Sequence, residues 1–151
     1  GMVQSKGYVG GSSVVTFVAT GGAMTKTWNL NLTFTGDTAS YTLTDVPAGT
    51  THLSAKTAWS LREKLAVTFV MGQATADFIA DAVPGWSDAT DHYLRGGDLN
   101  GSNTIQNSDY LILGNNLFTF NAVADINGDG SVTIIDYFML AGNWFQTGDL
   151  E

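Results

Sequence analysis

Polar and apolar residues alternate along much of the first half of the chain. In "TWNLNLTFTG" (27–36), Trp28, Leu30, Leu32 and Phe34 fall on one side, and Asn29, Asn31 and Thr33 on the other. A period of two is that of a strand, whose successive side chains point to opposite faces. Tyr41 and Leu43 alternate with Thr42 and Thr44 in the same way. "SVVTFVAT" (13–20), "ASYTLTDV" (39–46), "THLSAKTA" (51–58), "LREKLAVTFV" (61–70) and "ATADFIAD" (74–81) are further β-branched or alternating runs, divided by the turn signals "TGGA", "GD", "PAG" and "MGQ". Strands at this spacing with no helix between them predict a mainly β domain over residues 1–81, an antiparallel sandwich.

"AVPGWSDATDHYLRGG" (82–97) breaks the alternation. Its Pro, Gly and small polar residues predict a linker over 82–95. Trp86, Tyr93 and Leu94 are too apolar for a free linker and are expected to pack against a neighbouring module.

Beyond it the period lengthens. "YLILGNNLF" (110–118) places Tyr110, Leu113 and Leu117 on one helical face, and "YFMLAGNWF" (137–145) does the same with Tyr137, Leu140, Ala141 and Trp144. Each segment follows a twelve-residue polar stretch, and the two copies are offset by 27 residues. The pattern is an internal repeat, and it predicts a small α domain over 96–151.

Composition narrows the field. Apolar residues make up 44% of the 151-residue chain and charged residues 13%, which suits a folded protein. No apolar run approaches the roughly 18 residues of a membrane span. No secretory signal is visible, and Gly1 ahead of Met2 reads as an expression scar, so the chain is expected to be a piece of a longer protein. The absence of cysteine excludes disulfides, thiol catalysis and cysteine-ligated zinc. A net charge of −8 argues against a nucleic-acid partner. The charge is uneven: every lysine and arginine lies at or before Arg95, and six aspartates and one glutamate follow it.

Five of those acids sit in the repeat. "DLNGSNTIQNSD" (98–109) aligns with "DINGDGSVTIID" (125–136), with Asp at position 1, Asn at 3, Ser102 or Asp129 at 5, Ile105 or Val132 at 8, and Asp at 12. A calcium ion takes six to eight hard oxygens at about 2.3–2.6 Å. One loop can supply them if residues 1, 3 and 5 turn inward, position 7 offers its carbonyl and a carboxylate at 12 closes the shell. Gly130 permits a sharp turn at position 6, and Asn103 tolerates the same geometry. The apolar residue at position 8 can pair the two loops through a short β-contact. Position 12 also lies near a helix start, where the dipole favours a carboxylate. Two carboxylates in the first loop against three in the second predict weaker binding by the first.

"GDLNGSNTIQNSDYLILGNNL" and "ADINGDGSVTIIDYFMLAGNW" resemble the paired repeats of a type I dockerin. The resemblance covers about residues 96–147. It implies two calcium ions, held by Asp98, Asn100, Ser102, the Thr104 carbonyl and Asp109, and by Asp125, Asn127, Asp129, the Ser131 carbonyl and Asp136. It also implies a cohesin-like partner, contacted near the end of each loop. Those positions are Asn107 and Ser108 in one copy, and Ile134 and Ile135 in the other. A polar pair and an apolar pair are not interchangeable, so two equivalent binding modes are not expected. Burial of Ile134 and Ile135 against the β-module or the partner helix is the competing expectation.

The first half, through the "Y-x-L-x-x-V-P-A-G-T" turn around Pro47 and Gly49, resembles carboxypeptidase regulatory-like domains, which are transthyretin-like sandwiches. Such domains are usually non-catalytic spacers.

No active site stands out. His52 falls in an expected strand, and His92 near Asp88 and Asp91 lacks a second histidine for a metal site. Glu63, between Arg62 and Lys64, reads as part of a solvated face. Trp28, Trp59 and Trp86 could form a sugar platform, with Trp59 the best placed. The expected whole is a non-catalytic attachment module of a secreted, extracellular bacterial protein, tethering an upstream polysaccharide-degrading enzyme. The alternatives are a structural C-terminal cap in which the two modules pack together, and a carbohydrate-binding accessory module.

Overall fold

The computed structural model describes residues 1–80 and 91–151. The expectation for Trp86 lies outside the described residues. Strand β2 (Ser12–Thr20) is the centre of the first half, with β3 (Lys26–Thr33) antiparallel on one side and β5 (His52–Lys56) on the other. Strand β6 (Glu63–Ala66) extends the sheet beyond β5, giving the order β3-β2-β5-β6. Val15, Phe17 and Ala19 on one face of β2 are fully buried. A second sheet of two short strands, β1 (Met2–Gln4) and β4 (Thr38–Ser40), adds Val3 and Ala39 to that core. Phe17, stacked on Tyr41 at 4.3 Å, and Phe78 form its aromatic centre. The alternation in β3 is kept: Trp28, Leu30, Leu32 and Phe34 turn inward while Asn29, Asn31 and Thr33 are exposed.

Three expected strands are shorter than the pattern suggests. Ladder pairing reaches only Ala39 and Ser40 of 39–46 and only Glu63–Ala66 of 61–70. The run 74–81 forms no strand within its described part. Ala76 and Phe78 are buried, but Phe78 makes only an isolated bridge to Val3. Phe78 N donates to the Met2 carbonyl (2.9 Å) and its own carbonyl accepts from Gln4 N (2.7 Å), so the run meets β1 at one parallel bridge that does not extend into a ladder.

The second half has two nine-residue helices, α1 (Asn107–Asn115) and α2 (Ile134–Gly142). Leu113 and Leu140 are fully buried in a second core with Leu99, Ile105, Ala124, Ile126 and Val132. Tyr110, expected on the inner face, is 45% exposed, in an edge contact with Trp144.

The contact expected between the two position-8 residues takes another form. Ile105 exchanges backbone hydrogen bonds with Phe145 and Gln146, after α2, at 3.0 and 2.9 Å. Val132 does the same with Phe118 and Thr119, after α1, at 2.8 Å each. Each loop is therefore paired with the segment that follows the other repeat's helix, and Phe118 and Phe145 both take positive φ to make the turn.

The halves are in direct contact. Trp59 packs against both cores. Tyr93 and Leu94 are buried, as expected, and Leu94 belongs to the first core. The Trp59 carbonyl accepts from Gly97 N and Asp98 N, and Leu61 N donates to the Arg95 carbonyl. The chain end returns to the sheet, where Asp149 N donates to the Arg62 carbonyl and Lys64 N to the Asp149 carboxylate.

Candidate metal centre and docking face

The two loops share one scaffold. In each, the position-12 aspartate is the third residue of the following helix and is fully buried. Asp136 Oδ1 accepts from Ile126 N (2.8 Å) and Asn127 N (3.1 Å), and Oδ2 from Thr133 N (2.7 Å). Asp109 repeats this with Leu99 N (2.9 Å), Asn100 N (3.1 Å) and Gln106 N (3.0 Å). The carboxylate thus takes the N-cap N–H at a helix start, where the dipole favours a negative charge, and ties two N–H groups from the beginning of its loop to the same helix.

The other expected ligands lie along the loop backbone. Asp125 accepts from Gly128 N and Gly130 N, each at 2.8 Å. Asn127 Oδ1 accepts from Asp129 N (3.0 Å), its Nδ2 donates to Asp129 Oδ2 (2.9 Å), and Asp129 Oδ1 accepts from Ser131 N (2.9 Å). In the first loop, Asn100 Oδ1 accepts from Ser102 N (2.8 Å), and Ser102 Oγ donates to the Thr104 carbonyl (3.1 Å). Asp98 Oδ2 accepts from Asn103 N (2.9 Å) and from the Lys56 ammonium at the end of β5 (2.5 Å). Asp98 Oδ1 is buried without a partner.

Among the described residues, no three acidic or histidine side chains gather into a metal cluster of their own. The donor set mixes carboxylate, amide, hydroxyl and carbonyl oxygens, and that mixture suits a hard divalent cation. The second loop, with three carboxylates, fits such an ion. The first has two, and Lys56 already neutralises one of them.

Sequence reasoning missed the contribution of the β-region to both loops. Val9 N donates to the Asn127 carbonyl at 2.7 Å. Tyr8, which donates to the Ser12 carbonyl and stacks on Trp59, lies so close to Gly128 that a Cβ there would sit 2.4 Å from its ring. Burial, and then the charge of Asp125, hold the Tyr8 phenol above its ordinary pKa. At the first loop, Asn103 stands where the second has Gly130 and keeps positive φ. Its Oδ1 accepts from Arg62 N (2.8 Å), and its Nδ2 donates to the Asp149 carbonyl (2.9 Å). The only sequence signal for this was the asparagine itself.

The expected partner-binding residues open both helices. Ile134 and Ile135 are 55% and 51% exposed, so the expectation that they are buried internally is overturned. With Phe138, 65% exposed, they form an apolar face at the start of α2. At matching places on α1, Asn107 is exposed, while Ser108 is half-buried and accepts from Asn100 Nδ2 at 2.7 Å.

Residues 96–143 match the family model of the dockerin type I domain. The match spans both loops and both helices and leaves the β-region outside it. Type I dockerins are non-catalytic, calcium-binding modules that dock onto cohesins. No curated protein matches the chain.

Two other expected features are corrected by their surroundings. Glu63 does not lie on a solvated face: it takes His92 Nδ1 at 2.7 Å and Arg95 at 3.2 Å. Its carboxyl is pushed above the usual range by burial, against the opposing pull of those two partners. Trp59 is no sugar platform, because its ring lies between the two cores and its indole N–H is buried. Among the described residues, no helix is long and apolar enough to cross a membrane.

Proposed function

We propose that this chain is a calcium-dependent, non-catalytic attachment module that docks onto a cohesin-like partner through the dockerin segment. The exposed apolar start of α2 carries this reading. The β-region packs beside both loops yet leaves Ile134, Ile135 and Phe138 open. The polar and partly engaged Asn107–Ser108 pair makes α1 a poor substitute, which favours a single binding mode. The second loop would hold its ion through Asp125, Asn127, Asp129, the Ser131 carbonyl and Asp136. The first would use Asp98, Asn100, Ser102, the Thr104 carbonyl and Asp109. A bound cation supplies the positive charge that lets several carboxylates face one point. In this reading the module belongs to a secreted, extracellular bacterial protein and tethers an upstream polysaccharide-degrading enzyme.

Titration of the intact chain with a panel of type I cohesins, in calcium and in chelator, tests it. Complex formation is expected only in calcium. A panel silent in calcium, with the chain folded, sinks the docking reading. It would favour a structural cap, which the backbone bonds between the β-region and both loops support.

A further inference from the structure

We propose that Lys56 is a built-in cation of the first loop, so that the two repeats differ in their need for calcium. The second loop depends on a divalent ion. The first is closed by the sheet's own ammonium and takes calcium only weakly. This rests on the reading that the loops bind calcium.

Three features of the first loop support it. Lys56 Nζ lies 2.5 Å from Asp98 Oδ2, and the side chains are 15% and 0% exposed, so this pair is largely withdrawn from solvent. At the matching place in the second loop, both Asp125 oxygens take backbone N–H groups. Among the described residues, no lysine or arginine pairs with Asp125, Asp129 or Asp136. Formal charge differs accordingly. Asp98, Asp109 and Lys56 together carry one negative charge, and Asp125, Asp129 and Asp136 carry three. Cation affinity in such loops follows ligand charge, and an ammonium in contact with a ligand carboxylate repels an incoming divalent ion.

Lys56 is also held in place. The turn after β5 is fastened to the start of the loop, since the Trp59 carbonyl accepts from Gly97 N (2.8 Å) and Asp98 N (3.0 Å). Arg62 N meets Asn103 Oδ1 at 2.8 Å, on the far side of the same loop. These bonds fix the backbone on both sides of Lys56 relative to the loop, which keeps Asp98 within reach of its side chain. Asp98 Oδ1 remains buried and unpartnered, so the first loop keeps one inward oxygen for a weakly held cation.

Calcium titration by calorimetry, with thermal unfolding in calcium and in chelator, separates the outcomes on the intact chain. Wild type is expected to show one tight site and a second at least about tenfold weaker. Lys56→Met should tighten the weak site at least about tenfold. It should also lower the unfolding temperature in chelator more than in calcium, because Asp98 is then left buried without a counter-charge. Asp125→Asn isolates the first loop: its residual calcium affinity should rise when Lys56→Met is added. If Lys56→Met unfolds in chelator, comparing Asp125→Asn with the double variant in excess calcium still reads the effect. Two equal tight sites in wild type, or an unchanged or weakened first site in the double variant, overturn the proposal. No calcium binding by any variant sinks the calcium reading itself and this proposal with it, an outcome distinct from a silent Lys56.

Discussion

Replacing Asp136 by asparagine removes one charge from a side chain that holds the second loop to its helix. Asp136 is fully buried and accepts three backbone N–H bonds, two through Oδ1 and one through Oδ2. Asparagine can serve one side only; its amide nitrogen must then face the Thr133 N–H, or the pair from Ile126 and Asn127. A hydrogen bond to a charged group contributes about 1.5–3 kcal/mol, and a buried donor left unpaired costs about 1–3 kcal/mol. The lost charge at the helix start adds about 0.3–1 kcal/mol. Destabilisation of about 3–7 kcal/mol is expected, and at about 2–4 °C per kcal/mol for a chain of this size that lowers the unfolding temperature by at least about 6 °C. Circular dichroism on the intact chain in excess chelator measures it, followed by the same scan in calcium. The drop should already be present in chelator, since the three bonds exist without any ion. A variant that unfolds with wild type in chelator and departs from it only in calcium would refute the capping account and leave Asp136 as a ligand alone.

Gly128→Ala places a methyl group 2.4 Å from the Tyr8 ring and 2.9 Å from Gly10 Cα, at a positive φ. It should destabilise by more than about 1 kcal/mol and loosen the β-region from the second loop, seen as faster amide exchange at Val9 without matching change at Leu113. Ile135→Asn with Phe138→Ser should abolish cohesin binding while moving stability by no more than about 0.5 kcal/mol each, because both side chains are exposed; calorimetry and a melting curve check the two halves of that statement. Burial raises the Glu63 pKa above its ordinary 4.5. Its ionised form therefore opposes folding, and the contribution of this group to stability is full below 4.5 and lost as pH rises through the folded value. The stability of wild type relative to Glu63→Gln should accordingly grow as pH falls toward 4.5, and denaturant melts across pH that show the opposite slope would contradict the assignment.

The parts legible in the sequence are those fixed by local pattern. Strand β3 could be read because one face is buried and the other wet, so the alternation records the fold. The two-repeat plan could be read because each copy sets a polar loop ahead of an apolar helix, and α1 and α2 start 27 residues apart as the repeat does. What stayed hidden depends on partners distant in the chain. The run around Phe78 has the alternation of a strand, but its pairing with β1 stops at a single bridge, and no local pattern specifies how far pairing with a distant segment extends. Nothing in the run 51–58 marks Lys56, which β5 brings to Asp98, 42 residues away. Asn103 looked like a tolerated substitute for glycine, whereas its side chain serves Arg62 and Asp149. Ile134 and Ile135 were ambiguous because apolar residues at a helix start suit a core as well as a partner; only their exposure distinguished the two.

The crossed pairing of Ile105 with the chain after α2, and of Val132 with the chain after α1, makes the two repeats mutual prostheses. A peptide holding one repeat would own a helix and a loop but lack the strip that seals that loop's rim. Two such peptides could lend each other the missing strips, as in an exchange of arms between identical subunits. The covalent tandem makes that loan permanent, and cutting the chain between Thr119 and Asp125 should leave two fragments whose loops close only in each other's company.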